Sequence, residues 1–146
     1  MSPAADLHVH TTVSDGSLEP AAVPDRARAA GLDAVAITDH DRLGPVPDAP
    51  VVERDGLAVV RGIELRVAAD DDDGERLDLL GYGVAPTDAL RAEIDRLQDD
   101  RIDRAARIVE LVEERLDVDL DVPLGPGVGR PHAARGVAAS DAPLGY

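Results

Sequence analysis

His8 and His10 stand two residues apart in a short apolar segment. On an extended strand that spacing sends both imidazoles to one face, where they can converge on a single cation. Imidazole ligates zinc and iron well and manganese less tightly. The pair also has a plainer reading as two ordinary strand residues, so its companions matter. Asp15 lies in the polar stretch after that segment, His40 follows a second apolar run, and Glu64 follows a third. Singly, His40 reads as a helix cap or surface residue, Asp15 as a turn acid beside Gly16, and Glu64 as a surface acid. Together they place a ligand-type residue after each of three successive strand candidates. In α/β folds, sites assemble in the loops beyond the carboxyl ends of the strands.

The elements that must deliver these residues are legible in outline. Ala4 to Val9 reads as a strand that ends in the loop Thr11 to Gly16, and Glu19 to Ala30 has helical spacing. Pro20 and Pro24 fit only the first turns of that helix, and Gly31 fits its stop. Ala34 to Ile37 and Leu57 to Val60 are continuous apolar runs, suited to strands buried on both faces of a parallel sheet. Pro45, Pro47 and Pro50 lie between them, so the crossover helix expected there is short or absent. Leu65 to Ala69 and Arg76 to Tyr82 predict a hairpin around the acidic turn Asp70-Asp71-Asp72-Asp73-Gly74. As a calcium loop with Gly74 in sixth place, that run would need acids at Ala69 and Leu80, so a solvated turn is the reading adopted. Thr87 caps a predicted long helix from Asp88 to about Leu116. Leu90, Ile94, Leu97, Ile102, Ile108, Val109, Leu111, Val112 and Leu116 supply much of its apolar face, and its charges read as a solvated face. Residues 117–146 are rich in Gly and Pro, with one candidate helix after Pro131, and no internal repeat is present.

Composition bounds the partners. At 146 residues the chain fits a single domain, 1–146, with 117–146 the least regular part. With no Phe, no Trp and only Tyr82 and Tyr146 as aromatic residues, the core has to be aliphatic. The formal charge is -15, and every basic residue is Arg. Such an acidic surface repels phosphate backbones and anionic membranes, so neither nucleic acid nor membrane is expected as a partner. It resembles the surfaces of proteins from salt-loving microbes, where salt screens the self-repulsion. Without cysteine there are no disulfides, thiolate metal sites or thiol nucleophiles, so any metal must sit on His and carboxylates. Met1 to Asp6 carries no signal-like pattern and no apolar run approaches a membrane span, so a soluble cytoplasmic protein is the expectation.

Asp6-Leu7-His8-Val9-His10-Thr11-Thr12, Ser14-Asp15-Gly16-Ser17, Ala30-Gly31-Leu32-Asp33 and Ala36-Ile37-Thr38-Asp39-His40-Asp41 resemble the opening motifs of PHP (polymerase and histidinol phosphatase) phosphoesterases. Gly62-Ile63-Glu64 and Leu79-Leu80-Gly81-Tyr82 are similar to the next two motifs, and Gly129-Arg130-Pro131-His132 resembles a later one. The resemblance runs from about residue 5 to 137.

It implies an α/β fold, the N-terminal portion of a distorted (β/α)7 barrel, with up to three divalent ions (Mn, Zn, Fe or Mg) at the strand carboxyl ends. His8 and His10 would bind one ion, Glu64 would bridge it to a second, and Asp15 with His40 would hold the third. The implied activity is metal-assisted hydrolysis of a phosphomonoester of a small metabolite, such as a nucleotide or nucleoside bisphosphate. Arg130 and His132 are the candidate substrate-binding residues: an Arg fork donates two hydrogen bonds to phosphate, while His132 also has a simpler role near a helix start. Two departures stand out. Asp78 occupies the place of a usual ligand His, which shifts preference toward harder ions, and the family's later ligand His and final Asp-x-His have no counterpart before Tyr146. The chain is therefore also readable as a truncated, catalytically silent metal-binding module. Its exposed barrel edges are then expected to be covered by a partner or an oligomer.

Overall fold

In a computed structural model that describes residues 3–68 and 76–142, the described residues form five strands and three α-helices. In order these are β1 (Ala5–Val9), a 3-10 turn (Pro20–Ala22), α1 (Val23–Ala29), β2 (Ala34–Ile37), β3 (Val51–Arg54) and β4 (Leu57–Ala68). They are followed by β5 (Arg76–Tyr82), α2 (Asp88–Leu116) and α3 (Arg130–Ala139). The architecture is mixed α/β around one sheet. β1, β2 and β4 run parallel in that order, and β3 and β5 each pair antiparallel with β4. The acidic segment Asp70 to Gly74, read from the sequence as a hairpin turn, lies outside the described residues. Among the described residues no helix is long and apolar enough to cross a membrane.

β2 is central in the sheet, between β1 and β4, and Val35, Ala36 and Ile37 are buried on both of its faces. That double burial is why the run is continuously apolar. Val35, Ile37, Leu57 and Val59 meet Val23 and Ala27 of α1 in a purely aliphatic core. The 3-10 turn and α1 together fill the predicted helix, and Gly31, at φ 75°, supplies the left-handed residue that ends it.

Two strand expectations change. The strands read at Leu57 to Val60 and from Leu65 onward are not separate: over the described residues one twelve-residue strand, β4, runs from Leu57 to Ala68. The proline-rich connection holds no crossover helix, and it delivers β3 instead. β3 turns into β4 through Asp55 and Gly56, at φ 54° and 76°, the positive pair of a two-residue type I′ hairpin. β1 and β5 leave Leu7, Leu77 and Leu79 exposed.

α2 begins where the sequence predicts, with Thr87 Oγ1 accepting from the Leu90 N–H, and closes on Asp117 at φ 55°. Its most buried stripe differs from the predicted one: it is Gln98, Arg101, Ala105 and Val109, while Leu111 is exposed. The stripe is polar at one end because it packs there against polar loop groups rather than the aliphatic core. α3 begins after Gly129, at the helix predicted after Pro131.

Gly62 marks the point where β4 leaves β2 and β3. A side chain there would meet Thr38 Cγ2 at 2.6 Å, the Gly81 carbonyl at 2.9 Å and the Ile37 carbonyl at 3.0 Å. Two of these neighbours are backbone and cannot swing away. Gly62→Ala is therefore expected to destabilise the fold by about 1–3 kcal/mol, read as a lowered urea midpoint at unchanged slope.

Candidate metal centre

The parallel order β1-β2-β4 brings three strand carboxyl ends side by side, and each end supplies a polar side chain. His8 and His10 come from β1 and the residue just past it, and Glu64 from β4. His40 lies three residues beyond β2 and is held by a parallel bridge to Glu64. The Glu64 side chain is only 4% exposed, and its Oε2 lies 3.0 Å from His8 Nε2, 2.9 Å from His10 Nε2 and 3.3 Å from His40 Nδ1. The two Nε2 atoms of His8 and His10 are themselves 3.0 Å apart. Asp15 closes the other side, 3.5 Å from His10 Nδ1 and 3.7 Å from His40 Nε2.

Two groups of ligand-type atoms result, His8–His10–Glu64 and His10–Asp15–His40, with His10 common to both. All five residues singled out first in the sequence are thus brought together. Relative to the partition implied by the family resemblance, the geometry adds His10 to the Asp15–His40 group. The arrangement fits a bound cation. Ligands about 2.1 Å from one ion lie roughly 3 to 3.5 Å from each other, the spacing seen around Glu64. The buried Nδ1 atoms of His10 and His40 have no hydrogen-bond partner. Burial holds the His40 imidazole below its usual pKa, against the opposing pull of Glu64 and Asp15. The neutral ring keeps a lone pair for a cation near pH 7. The donor set of imidazole and carboxylate suits zinc, iron or manganese.

Asp78 is not in either group. It faces Arg66 across the β4–β5 pair, accepting at 2.8 Å from Nε and 3.1 Å from Nη2. That hydrogen bonding holds its carboxyl below the usual range. His132 is likewise occupied, its Nδ1 accepting from the Gly129 N–H at the start of α3. Arg130 lines a cavity of about 280 Å³ with Asp15, His40 and Arg101, and Ile108 and Val122 give it an apolar wall.

Sequence reasoning missed the groups underneath. Asp39, fully buried beside His40, accepts from the Thr11 N–H at 2.7 Å, the Ser14 hydroxyl at 2.6 Å and the Thr11 hydroxyl at 2.7 Å. It ties the loop carrying Asp15 to the end of β2. Gly16 lets that loop close, since a side chain there would lie 2.4 Å from the His10 carbonyl oxygen. The available signal was Asp39 and Asp41 flanking His40 in Thr38-Asp39-His40-Asp41.

Residues 6–119 match the family described as PHP domain. A 3',5'-nucleoside bisphosphate phosphatase from Chromobacterium violaceum is 33% identical over 105 residues, covering 70% of this chain and 36% of that protein. A 5'-3' exoribonuclease from Escherichia coli is 33% identical over 115 residues, covering 77% of this chain and 37% of that protein. The chain thus aligns with little more than a third of these curated relatives. A structure from Bifidobacterium adolescentis, provisionally assigned as a metal-dependent phosphoesterase, superposes with a TM-score of 0.73 at 25% identity, covering 95% of this chain and 51% of that one. An amidohydrolase from Chromobacterium violaceum with bound sulfate and no metal gives 0.71 at 26% identity, covering 92% and 49%.

Removing Asp39 strands three buried donors. Asp39→Ala is expected to cost about 3–5 kcal/mol, whereas Asp78→Ala, which breaks only a half-exposed pair, should cost under about 1 kcal/mol. Urea unfolding of the two variants side by side checks the contrast.

Proposed function

The chain belongs to the PHP domain family, and we propose that it forms the N-terminal portion of a distorted (β/α)7 barrel and acts as a metal-dependent phosphoesterase. Its substrate is a phosphomonoester of a small metabolite, such as a nucleotide or nucleoside bisphosphate. The observation that carries this reading is the convergence of three imidazoles on one buried oxygen, Glu64 Oε2.

In this reading His8, His10 and Glu64 hold one divalent ion, and His10, Asp15 and His40 hold a second. Bound ions would supply a lowered pKa for water and neutralisation of charge on phosphate oxygens. The chain's own residues do the remainder. Arg130, on the cavity wall beside Asp15 and His40, orients the phosphate through its planar fork. The apolar side of the cavity, with Ile108 and Val122, accommodates the rest of the substrate and excludes water from it. Asp78, already paired with Arg66, reaches an ion only if that pair opens. His132 supports Arg130 indirectly, by fixing the first turn of α3. The net charge of -15 favours a small substrate over a long polyanion.

The test is to load metal-free protein with manganese in high salt and measure phosphate release from a nucleotide panel, with a short RNA as a separate arm. Release from at least one mononucleotide is expected. His8→Ala and His40→Ala should lower it at least about 100-fold, beyond the 10–100-fold typical of outer-shell partners. Activity equal in wild type and both variants would sink the reading, and tight metal binding without turnover would favour a metal-binding module.

Calorimetric titration of His8→Ala and of His10→Ala checks the ligand grouping. His10→Ala is expected to lose both ions, because His10 belongs to both groups, and His8→Ala only one.

A further inference from the structure

Asp41 follows His40 directly and has every polar group engaged. Its N–H donates to the Glu64 carbonyl at 2.8 Å, and its own carbonyl accepts from Gln98 Nε2 at 2.8 Å. Its Oδ2 accepts from Arg101 Nη2 at 2.6 Å and Nε at 3.1 Å, and its Oδ1 from the Arg66 N–H at 3.4 Å. Asp41 holds φ 48°, a left-handed conformation that Asp adopts more readily than most residues. Gln98 and Arg101 are one helical step apart on α2, and both are buried. The other end of the Gln98 amide accepts from the Gly127 N–H at 2.8 Å, which fixes the loop leading into α3 and Arg130.

We propose that Gln98 and Arg101 are positioning residues: they clasp Asp41, fix the backbone that carries His40, and so set the affinity of the ion held by His10, Asp15 and His40. This rests on the metal-centre reading above. The clasp acts on one ion more than the other for a topological reason. His8 and His10 are carried by β1 and its immediate end, on the far side of β2 from β4. Asp41 touches the second group through the adjacent peptide of His40. It reaches the first through the Glu64 carbonyl and the Arg66 N–H, both on β4, a strand that β5 holds independently from its other side. A polar clasp at this position also accounts for the polar end of the buried stripe of α2. Leucines there would pack, but they would leave the Asp41 carbonyl and Oδ2 buried without donors.

The experiment separates the two ions by background. His8→Ala leaves only the His10–Asp15–His40 group complete, and Asp15→Ala leaves only His8–His10–Glu64. Manganese is titrated calorimetrically into each metal-free background, with and without Gln98→Met and the charge-neutral pair Asp41→Asn/Arg101→Gln. Circular dichroism melts confirm folding. The neutral pair is included because Arg101 removed alone would leave a buried charge, and that variant could fail to fold. Both changes should weaken manganese about 10–100-fold in the His8→Ala background, and less than about threefold in the Asp15→Ala background. Equal weakening in the two backgrounds, or none in either, overturns the clasp. No manganese binding in either parent background overturns the metal-centre reading itself.

Discussion

The structure turns on one buried oxygen. Glu64 Oε2 lies within 3.3 Å of three imidazoles drawn from two other strands, and its side chain has almost no exposure to water. A carboxylate in that position is costly unless positive or hydrogen-bonding partners surround it. The partners must be in place before the arrangement is favourable. The strand order β1-β2-β4 meets that demand, since it brings three parallel carboxyl ends to one spot. It also lets each ligand-bearing loop leave the sheet on the same side.

Beneath the imidazoles lies a layer of buried polar groups that carries this demand into the rest of the fold. Asp39 gathers the loop after β1, and Asp41 gathers β4 and α2. Arg42 reaches the Val13 and Pro126 carbonyls at 3.1 and 3.3 Å, tying the same loops to the segment before α3. The aliphatic core sits on the other side, where α1 covers β2 and β4. An all-aliphatic core is non-directional in what it stabilises. The geometry of the strand ends is therefore set by hydrogen bonds, whose angles and lengths are narrow.

Charge is distributed with the same logic. The chain is strongly acidic as a whole, yet Arg66, Arg101, Arg104 and Arg130 all line the cavity beside His40. Arg66 and Arg101 are held by Asp78 and Asp41, which keeps their guanidinium planes oriented rather than swinging in solvent. In the proposed reading, arginines lining a cavity inside a negative surface favour a compact anion that can enter over an extended one that must lie across the exterior.

The sequence by itself determined which side chains could meet at one site, the parallel apolar strands and the limits of α2. Those features rest on local chemistry: residue type, spacing, a Thr cap and continuous apolar runs. The β3–β4 hairpin was also legible in Val51-Val52-Glu53-Arg54-Asp55-Gly56-Leu57, although the prolines before it drew attention to a missing helix instead. What His8, His10 and Glu64 share could be anticipated, but that His10 belongs to two groups could not. That depends on how far apart the strand ends settle in space. The same holds for Asp78, which looked like a ligand by position and is paired with Arg66 by antiparallel register. Arg101 reads from the sequence as part of a solvated helix face, and only tertiary structure brings it and Gln98 to Asp41. A contact between residues 60 positions apart leaves no periodic trace in a sequence.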